Sequence, residues 1–224
     1  AGQSAVGDIF LWMANHLVPD SYGDSLDAKF QAMGKMIAAL KPGQTGLLAL
    51  DWNNGNRTIL TDVRLTGILL GQTLHTQAHE VYRAYIEATA FGALTIIKRM
   101  EEFNVSVDEV VCTGGLSLKN DTLMQIYADV LDRPMKVSAS EQTCALGAAM
   151  LAAVAAGHDT LTNLQERIVS YSDRVYNPNP ESVTVYGKIY MLYRTLHDAF
   201  GKTDWSGSMD HVMKELLDIR DKES

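Results

Sequence analysis

The sequence predicts an α/β fold, and three observations near the middle of the chain support this prediction. An apolar, β-branched segment at 107–113 ends in two adjacent glycines. A helical pattern follows at 121–131, and a second short apolar segment follows at 135–138. This strand–helix–strand order, continued by a helical pattern at 144–156, is typical of parallel strands joined by a crossover helix.

The N-terminal part of the chain is predicted to form two helices and a short strand. Apolar side chains recur at helical spacing over 8–19, and a second periodic segment begins after Ser25 and continues to Leu40. The aromatic and methionine side chains at 9–36 are expected in the core, or else on a surface that covers a domain outside this chain. Residues 46–50 are predicted to be a buried strand.

The longest helical pattern of the chain lies at 76–103, after a short apolar segment at 65–70. The alanine-rich segment at 144–156 is also predicted to be helical, and its small side chains are expected to pack closely on a neighbouring sheet. A loop is predicted at 171–181. One helix is predicted from 181 to 200, and a charged helix is predicted near the C-terminus.

The composition restricts the class of protein. With 224 residues and 46% hydrophobic content, the chain can bury the core of one large domain or of two small ones. Its formal net charge of −8, without a cluster of lysine or arginine, argues against a nucleic-acid partner. The sequence shows no secretory leader and no apolar run of about 18 residues. We therefore predict a cytoplasmic protein without a membrane partner.

Both cysteines, Cys112 and Cys144, lie in apolar surroundings, which predicts buried thiols rather than a disulfide or a metal site. The chain begins at Ala1 without an initiator methionine. Because few strands are predicted for a chain of this length, we expect a fragment whose sheet is partly formed by residues upstream of Ala1.

The glycine pair, Gly114 and Gly115, is the first candidate for a functional site. Two adjacent glycines at the end of a strand allow a flat ligand or another backbone to approach, because no Cβ stands in the way. The N-terminus of the following helix offers unpaired N–H groups that suit a phosphate or another anion. The pattern therefore indicates a nucleotide site, although a plain turn between strand and helix has the same sequence.

Two pairs of side chains stand four residues apart near the start of the long helical pattern. Arg83 and Glu87 are expected to pair with each other on one helix face, in a structural role. His75 and His79 have a spacing that can bind a metal. Because no third ligand is evident, we expect these two histidines to be solvated or to cap the helix.

Three groups of segments, taken in order, resemble the C-terminal domain of the FGGY carbohydrate kinases, which belong to the actin-like ATPase superfamily. These segments are 71–76 with 82–88, then 113–115 with 119–120 and 124–130, and finally Glu141 with 145–152. The segments at 2–8 and 51–57 resemble the L-ribulokinase branch of that family.

The resemblance implies the ATP-binding domain of a ribonuclease H-like, actin-like fold, truncated at its N-terminal side and extended by helices at both ends. It implies a partial nucleotide-binding domain at 1–158 and a helical extension at 159–224 that packs on it. It also implies transfer of a phosphoryl group from ATP, with Mg²⁺, to L-ribulose, which gives L-ribulose 5-phosphate in arabinose catabolism. The sugar would bind mainly to an N-terminal domain outside this chain, and a homo-oligomer is possible.

The resemblance places the nucleoside on the glycine pair and the residues after it. Gly114 and Gly115 match the family's adenosine-contacting glycines, and Leu116 and Ser117 would lie beside the base. Asn120 matches an asparagine that bonds near the adenine or ribose, and it could equally cap the following helix. No catalytic residue and no metal ligand is assigned, because the family's catalytic aspartate would precede Ala1 and the fragment alone would be inactive.

The resemblance leaves the role of other polar residues open. Gln72 and Thr73 could face the phosphates, which we do not favour. Asp51, Asn54 and Arg57 form either a self-bonded turn with a surface arginine or a loop near the sugar or the domain interface.

Two alternative functions stay open at this point: a kinase for another pentulose or polyol, such as xylulose or glycerol, and a non-catalytic actin-like interaction module.

Overall fold

The structure is a computed structural model that describes residues 1–115, 120–140 and 142–223. Helices and strands alternate along the middle of the chain, from residue 68 to residue 155. The helices of the described residues are α1 (Gly7–His16), α2 (Leu26–Ala38), α3 (Ala78–Glu101), α4 (Asp121–Leu131), α5 (Thr143–Ala155), α6 (Leu161–Ile168), α7 (Pro180–Gly201) and α8 (Val212–Glu223). The strands are β1 (Leu48–Leu50), β2 (Ile68–Leu70), β3 (Val110–Cys112), β4 (Met135–Ser138) and β5 (Tyr171–Tyr176).

The five strands found in the described residues form two small sheets. Strands β1 and β2 pair antiparallel, with Leu48 opposite Leu70. Strands β3 and β4 pair in parallel, with Val110 opposite Met135, and β5 adds antiparallel to β4. The predicted crossover through α4 is therefore confirmed.

The predicted loop at 171–181 is wrong for its first half, because Tyr171–Tyr176 forms β5. This strand is half-exposed, and its side chains do not alternate between apolar and polar. It is held at the sheet by backbone pairing to β4, which is a tertiary interaction and leaves no periodic signal in the sequence.

Helix α3 is the centre of the core. It is buried over most of its length, from Val81 to Thr95, and it packs against α1, α2, α4, α7 and β1. The aromatic and methionine face of the first two helices is partly confirmed as core, because Phe10, Met13 and Met33 are fully buried. Trp12 remains 41% exposed.

The alanine-rich helix α5 does not pack on a sheet as predicted. Met150 is its only buried residue within the described part of the chain, and its main neighbour is the short helix α6. Its apolar residues surround the helix axis without a preferred side, and small side chains bury little area. Cys144 lies on this helix and is exposed, so the predicted burial of its thiol is wrong; Cys112 is half-buried, and burial raises its pKa to about 11.

The C-terminal region is closely associated with the rest of the fold. Helix α7 buries Tyr186, Ile189 and Tyr193, and it contacts α3, α4 and β1. Helix α8 buries Val212 and Leu216 and contacts α7. The domain boundary after residue 158 stays a prediction. No helix among the described residues is long and apolar enough to cross a membrane.

Candidate functional site

The glycine pair lies where β3 ends and the chain turns towards α4. Gly114 has φ of +93°, a left-handed conformation that favours glycine over other residues. A Cβ atom built on Gly114 or on Gly115 would have no heavy atom of the described residues within 4 Å. Gly115 is exposed to solvent, and Gly114 is partly exposed. Leu116 and Ser117, the predicted neighbours of the base, lie outside the described residues.

Asn120 is the N-cap of α4, as one of the two predictions for it requires. Its Oδ1 accepts a hydrogen bond from the backbone N–H of Leu123 at 2.9 Å, and its Nδ2 donates to the hydroxyl of Tyr82 at 3.4 Å. An amide has two N–H donors and an oxygen with two lone pairs, so one N–H and one lone pair have no partner within the part of the chain that the structure describes. Contact with a nucleoside stays a prediction.

The first residue of α4 connects this helix to β5. The carboxylate of Asp121 accepts hydrogen bonds from Arg174 Nη1 at 3.0 Å and from the Tyr176 hydroxyl at 2.7 Å. A carboxylate in the first turn interacts favourably with the helix dipole, and the guanidinium of Arg174 offsets its charge.

Arg83 and Glu87 form the predicted pair, in a fully buried position. Arg83 Nε donates to Glu87 Oε1 at 2.9 Å, and both side chains are almost inaccessible to solvent. The hydroxyl of Tyr186 on α7 donates to the same carboxylate at 3.0 Å. Arg83 also donates to the backbone oxygens of Ile37 and Leu40 at the end of α2. The pair therefore joins three helices, and its expected structural role is confirmed.

The two histidines have ordinary partners. His79 Nδ1 lies 3.0 Å from the hydroxyl of Tyr22, and the backbone N–H of His75 donates to Thr73 Oγ1 at 3.2 Å. Within residues 1–115, 120–140 and 142–223, no group of three or more metal-binding side chains is found.

The loop after β1 is more than a self-bonded turn. Asp51 is buried, and its two oxygens accept hydrogen bonds from Gln3 Nε2 at 2.7 Å and from the Tyr193 hydroxyl at 2.9 Å. Asn54 and the backbone of Arg57 bond to Ser4 instead. Burial raises the pKa of Asp51 because the charged carboxylate is removed from water. The loop is thus tied to the N-terminal segment and to α7.

Comparison with known proteins decides the family. Residues 1–156 match the C-terminal domain of the FGGY family of carbohydrate kinases. The chain belongs to this family. It is 47% identical to the ribulokinase of Halalkalibacterium halodurans over 229 residues, which is 98% of this chain and 40% of the relative. It is 46% identical to the ribulokinase of Geobacillus thermodenitrificans, over 96% of this chain and 39% of the relative.

Solved structures of FGGY kinases share the fold. A xylulose kinase of Lactobacillus acidophilus superimposes with a TM-score of 0.73 at 25% identity, over 88% of this chain and 38% of that protein. A glycerol kinase of Plasmodium falciparum superimposes with a TM-score of 0.67 at 18% identity, over 87% of this chain and 37% of that protein. The predicted fold is confirmed, and this chain spans about two fifths of the length of the curated relatives it matches.

Sequence reasoning missed three contributors to the candidate sites of this FGGY domain: Gln3, Tyr82 and Tyr193. Tyr82 lies in the helical segment that carries the resemblance, but nothing local connects it to Asn120, which is 38 residues away. Gln3 and Tyr193 meet Asp51 across 48 and 142 residues respectively. Contacts over such separations depend on the packing of α3 and α7.

A small cavity of about 10 Å³ lies beneath the loop after β1, between α3 and α7. His197 lines it, and this side chain is buried. Its Nδ1 is bonded to Asp198 Oδ1 at 2.8 Å, while its Nε2 has no partner among the described residues. A proton on Nε2 would therefore be buried without an acceptor. Burial lowers the pKa of His197, although its bond to Asp198 acts in the opposite direction.

This histidine predicts a pH dependence of stability. Its pKa in the folded chain lies below the value of 6.5 for an unperturbed histidine, so the unfolded chain takes up the proton first. Its contribution to stability is therefore complete above pH 6.5 and is lost as the pH falls towards the folded pKa. Urea unfolding of the wild type and of His197→Gln, from about pH 8 to about pH 5, measures this contribution to the free energy of unfolding. A stability difference between them that stays constant over this range would contradict the prediction.

Proposed function

We propose that this chain is the nucleotide-binding part of a kinase that transfers the γ-phosphoryl group of ATP to L-ribulose and forms L-ribulose 5-phosphate. The observation that carries this proposal is the 45–47% identity to proteins named ribulokinase over nearly the whole chain. The strand, glycine pair and capped helix at 110–131 agree with a nucleotide-binding role. A cytoplasmic location and a homo-oligomeric state stay predictions.

The described residues fit the nucleoside half of ATP. The glycine pair presents backbone without side chains to one flat surface of the ligand, since Cβ atoms there would meet no heavy atom of the described residues within 4 Å. Asn120, five residues after Gly115, offers one further N–H donor that has no partner among the described residues. When bound, ATP supplies the phosphoryl group that is transferred. These residues hold and orient its adenosine.

A Mg²⁺ site does not follow from the described residues, which contain no group of three or more metal-binding side chains. The role that we propose for this chain is therefore limited to binding the nucleotide. The sugar and the group that accepts the hydroxyl proton would be held by the remaining three fifths of the protein, as the length of the relatives suggests.

Replacement of Gly115 by leucine is expected to abolish binding of ADP without unfolding the chain. Gly115 does not have a positive φ, and a Cβ atom there has open space around it, so the backbone tolerates a side chain. A leucine would occupy the surface on which we place adenosine. Calorimetric titration with ADP and Mg²⁺ measures the binding, and thermal unfolding measures the stability. We expect the affinity for ADP to fall at least about tenfold, which corresponds to at least about 1.4 kcal/mol of binding free energy.

Gly34→Leu is the matched control. Gly34 lies within α2, where a Cβ atom also has no heavy atom of the described residues within 4 Å, and it is remote in sequence from the glycine pair. This variant should bind ADP like the wild type. Equal ADP affinity for Gly115→Leu and Gly34→Leu would refute the proposed surface.

The substrate is tested on the full-length protein that contains this chain. A coupled assay of ADP release with L-ribulose, xylulose and glycerol compares the three sugar or polyol substrates directly. The proposal requires the highest kcat/KM for L-ribulose. A preference for xylulose or glycerol would retain the kinase and change its substrate, whereas no ADP release with any of them would favour a non-catalytic module.

A further inference from the structure

Tyr82 is the unexplained residue next to the proposed nucleotide site. It lies on α3, its side chain is buried, and its hydroxyl is the hydrogen-bond acceptor of Asn120 Nδ2. Burial raises its pKa to about 12, so the phenol stays protonated at physiological pH. A neutral hydroxyl in this position can accept from an amide N–H without placing a charge beside the ligand.

The ring of Tyr82 is held by the first two helices. Phe10 on α1 contacts it edge-on, with ring centroids 5.5 Å apart, and Phe30 on α2 contacts it at 6.0 Å. Such aromatic contacts fix the plane and the position of a ring beyond what burial alone achieves. The aromatic face of α1 and α2 therefore determines where the hydroxyl of Tyr82 lies.

The contact with Tyr82 adds a second constraint on the orientation of the Asn120 amide, after the capping bond. Its Oδ1 is fixed at the backbone N–H of Leu123 by helix capping, and its Nδ2 is directed to Tyr82. With both ends of the amide engaged, the second N–H of Nδ2 is left in a defined direction. An amide that is held in this way loses less rotamer freedom when a ligand binds than a mobile one would.

We propose that Tyr82 is a positioning residue for the nucleotide: it holds the amide of Asn120 so that its remaining N–H is presented to the adenosine. This inference rests on the proposed function, since it assumes that adenosine binds at Gly114, Gly115 and Asn120. It assigns the aromatic face of α1 and α2 a role in supporting that site.

Tyr82→Phe removes the hydroxyl and keeps the ring between Phe10 and Phe30. Loss of one hydrogen bond predicts an increase of about three- to tenfold in the Kd for ADP, measured by calorimetry. Tyr85→Phe is the matched control, because Tyr85 lies on the same helix and contacts Trp12 instead. The control should keep the Kd of the wild type.

A double-mutant cycle separates positioning from general stability. Asn120→Ser keeps an oxygen that caps α4 and removes the amide N–H groups. In the Asn120→Ser background, Tyr82→Phe should leave the Kd for ADP unchanged, because the group that it positions is gone. If Tyr82→Phe changed the Kd for ADP equally in both backgrounds, Tyr82 would act only through the stability of the fold. That result would refute the inference.

The remaining outcomes distinguish this inference from the proposed function. If the wild-type chain binds ADP, and Asn120→Ser weakens binding while Tyr82→Phe does not, the role of Tyr82 is refuted and the site stands. If the wild-type chain does not bind ADP at all, the proposed site is refuted, and the role of Tyr82 with it. Thermal unfolding of each variant confirms that it is folded before its Kd is compared.

Discussion

Arg83→Ala is expected to lower the free energy of unfolding by about 3–5 kcal/mol, because it leaves the carboxylate of Glu87 buried without its cation. Glu87 would keep one strong donor, the Tyr186 hydroxyl at 3.0 Å. The change also removes one donor from each of two backbone oxygens, those of Ile37 and Leu40, each 2.8 Å from Arg83 Nη1. Urea unfolding at neutral pH measures the loss.

The pH dependence of this variant identifies the mechanism. Burial already raises the pKa of Glu87, and removal of the neighbouring guanidinium raises it further. A carboxyl group whose folded pKa exceeds its unfolded pKa is tolerated when protonated and costs stability when charged. The destabilisation by Arg83→Ala should therefore be largest above the raised pKa and should decrease as the pH falls through it.

Arg99→Ala serves as the control on the same helix. Arg99 pairs with Glu102 near the end of α3, and both side chains are more than half exposed. Exposed pairs contribute about 0–1 kcal/mol, so this variant should remain close to the wild type in stability. Similar losses for Arg83→Ala and Arg99→Ala would mean that the buried pair does not join the helices as the contacts indicate.

The sequence predicted the local elements around the candidate site well. The helix at 121–131 and the strand at 135–138 were predicted with the bounds that the structure has, because a capping asparagine and an Asp-Arg-Pro segment mark the helix ends. The Arg83–Glu87 pair was also predictable, since both residues lie one helical turn apart.

What the sequence could not predict depends on contacts between distant segments. The strand β5 carries no alternation and is held by its pairing with β4, so its half-exposed residues resemble a loop. The exposure of α5 was missed because a uniformly apolar helix does not show which face, if any, has a neighbour. Buried polar groups such as Asp51 acquire their partners only once α3 and α7 are packed together.

The second large effect is expected at Gly92, in the middle of α3. A Cβ atom on this residue would lie 2.5 Å from Asp51 Oδ2 and 2.5 Å from Gln3 Nε2, so that at least one of these side chains would have to shift. These two atoms form the 2.7 Å hydrogen bond that joins the N-terminal segment to the loop after β1. Because Asp51 is buried and is also bonded to Tyr193, neither side chain can move away without losing a partner.

Gly92→Ala should therefore lower the free energy of unfolding by about 2–4 kcal/mol, through overpacking and a broken buried hydrogen bond. Helix propensity alone predicts the opposite sign, a gain of up to about 1 kcal/mol for alanine over glycine. Gly34→Ala on α2 measures that gain, because its Cβ atom has no heavy atom within 4 Å. Urea unfolding of both variants compares the cost of overpacking at Gly92 with the gain from helix propensity. If Gly92→Ala were as stable as Gly34→Ala, Gln3 and Asp51 would not form the close contact on which the attachment of the N-terminal segment depends.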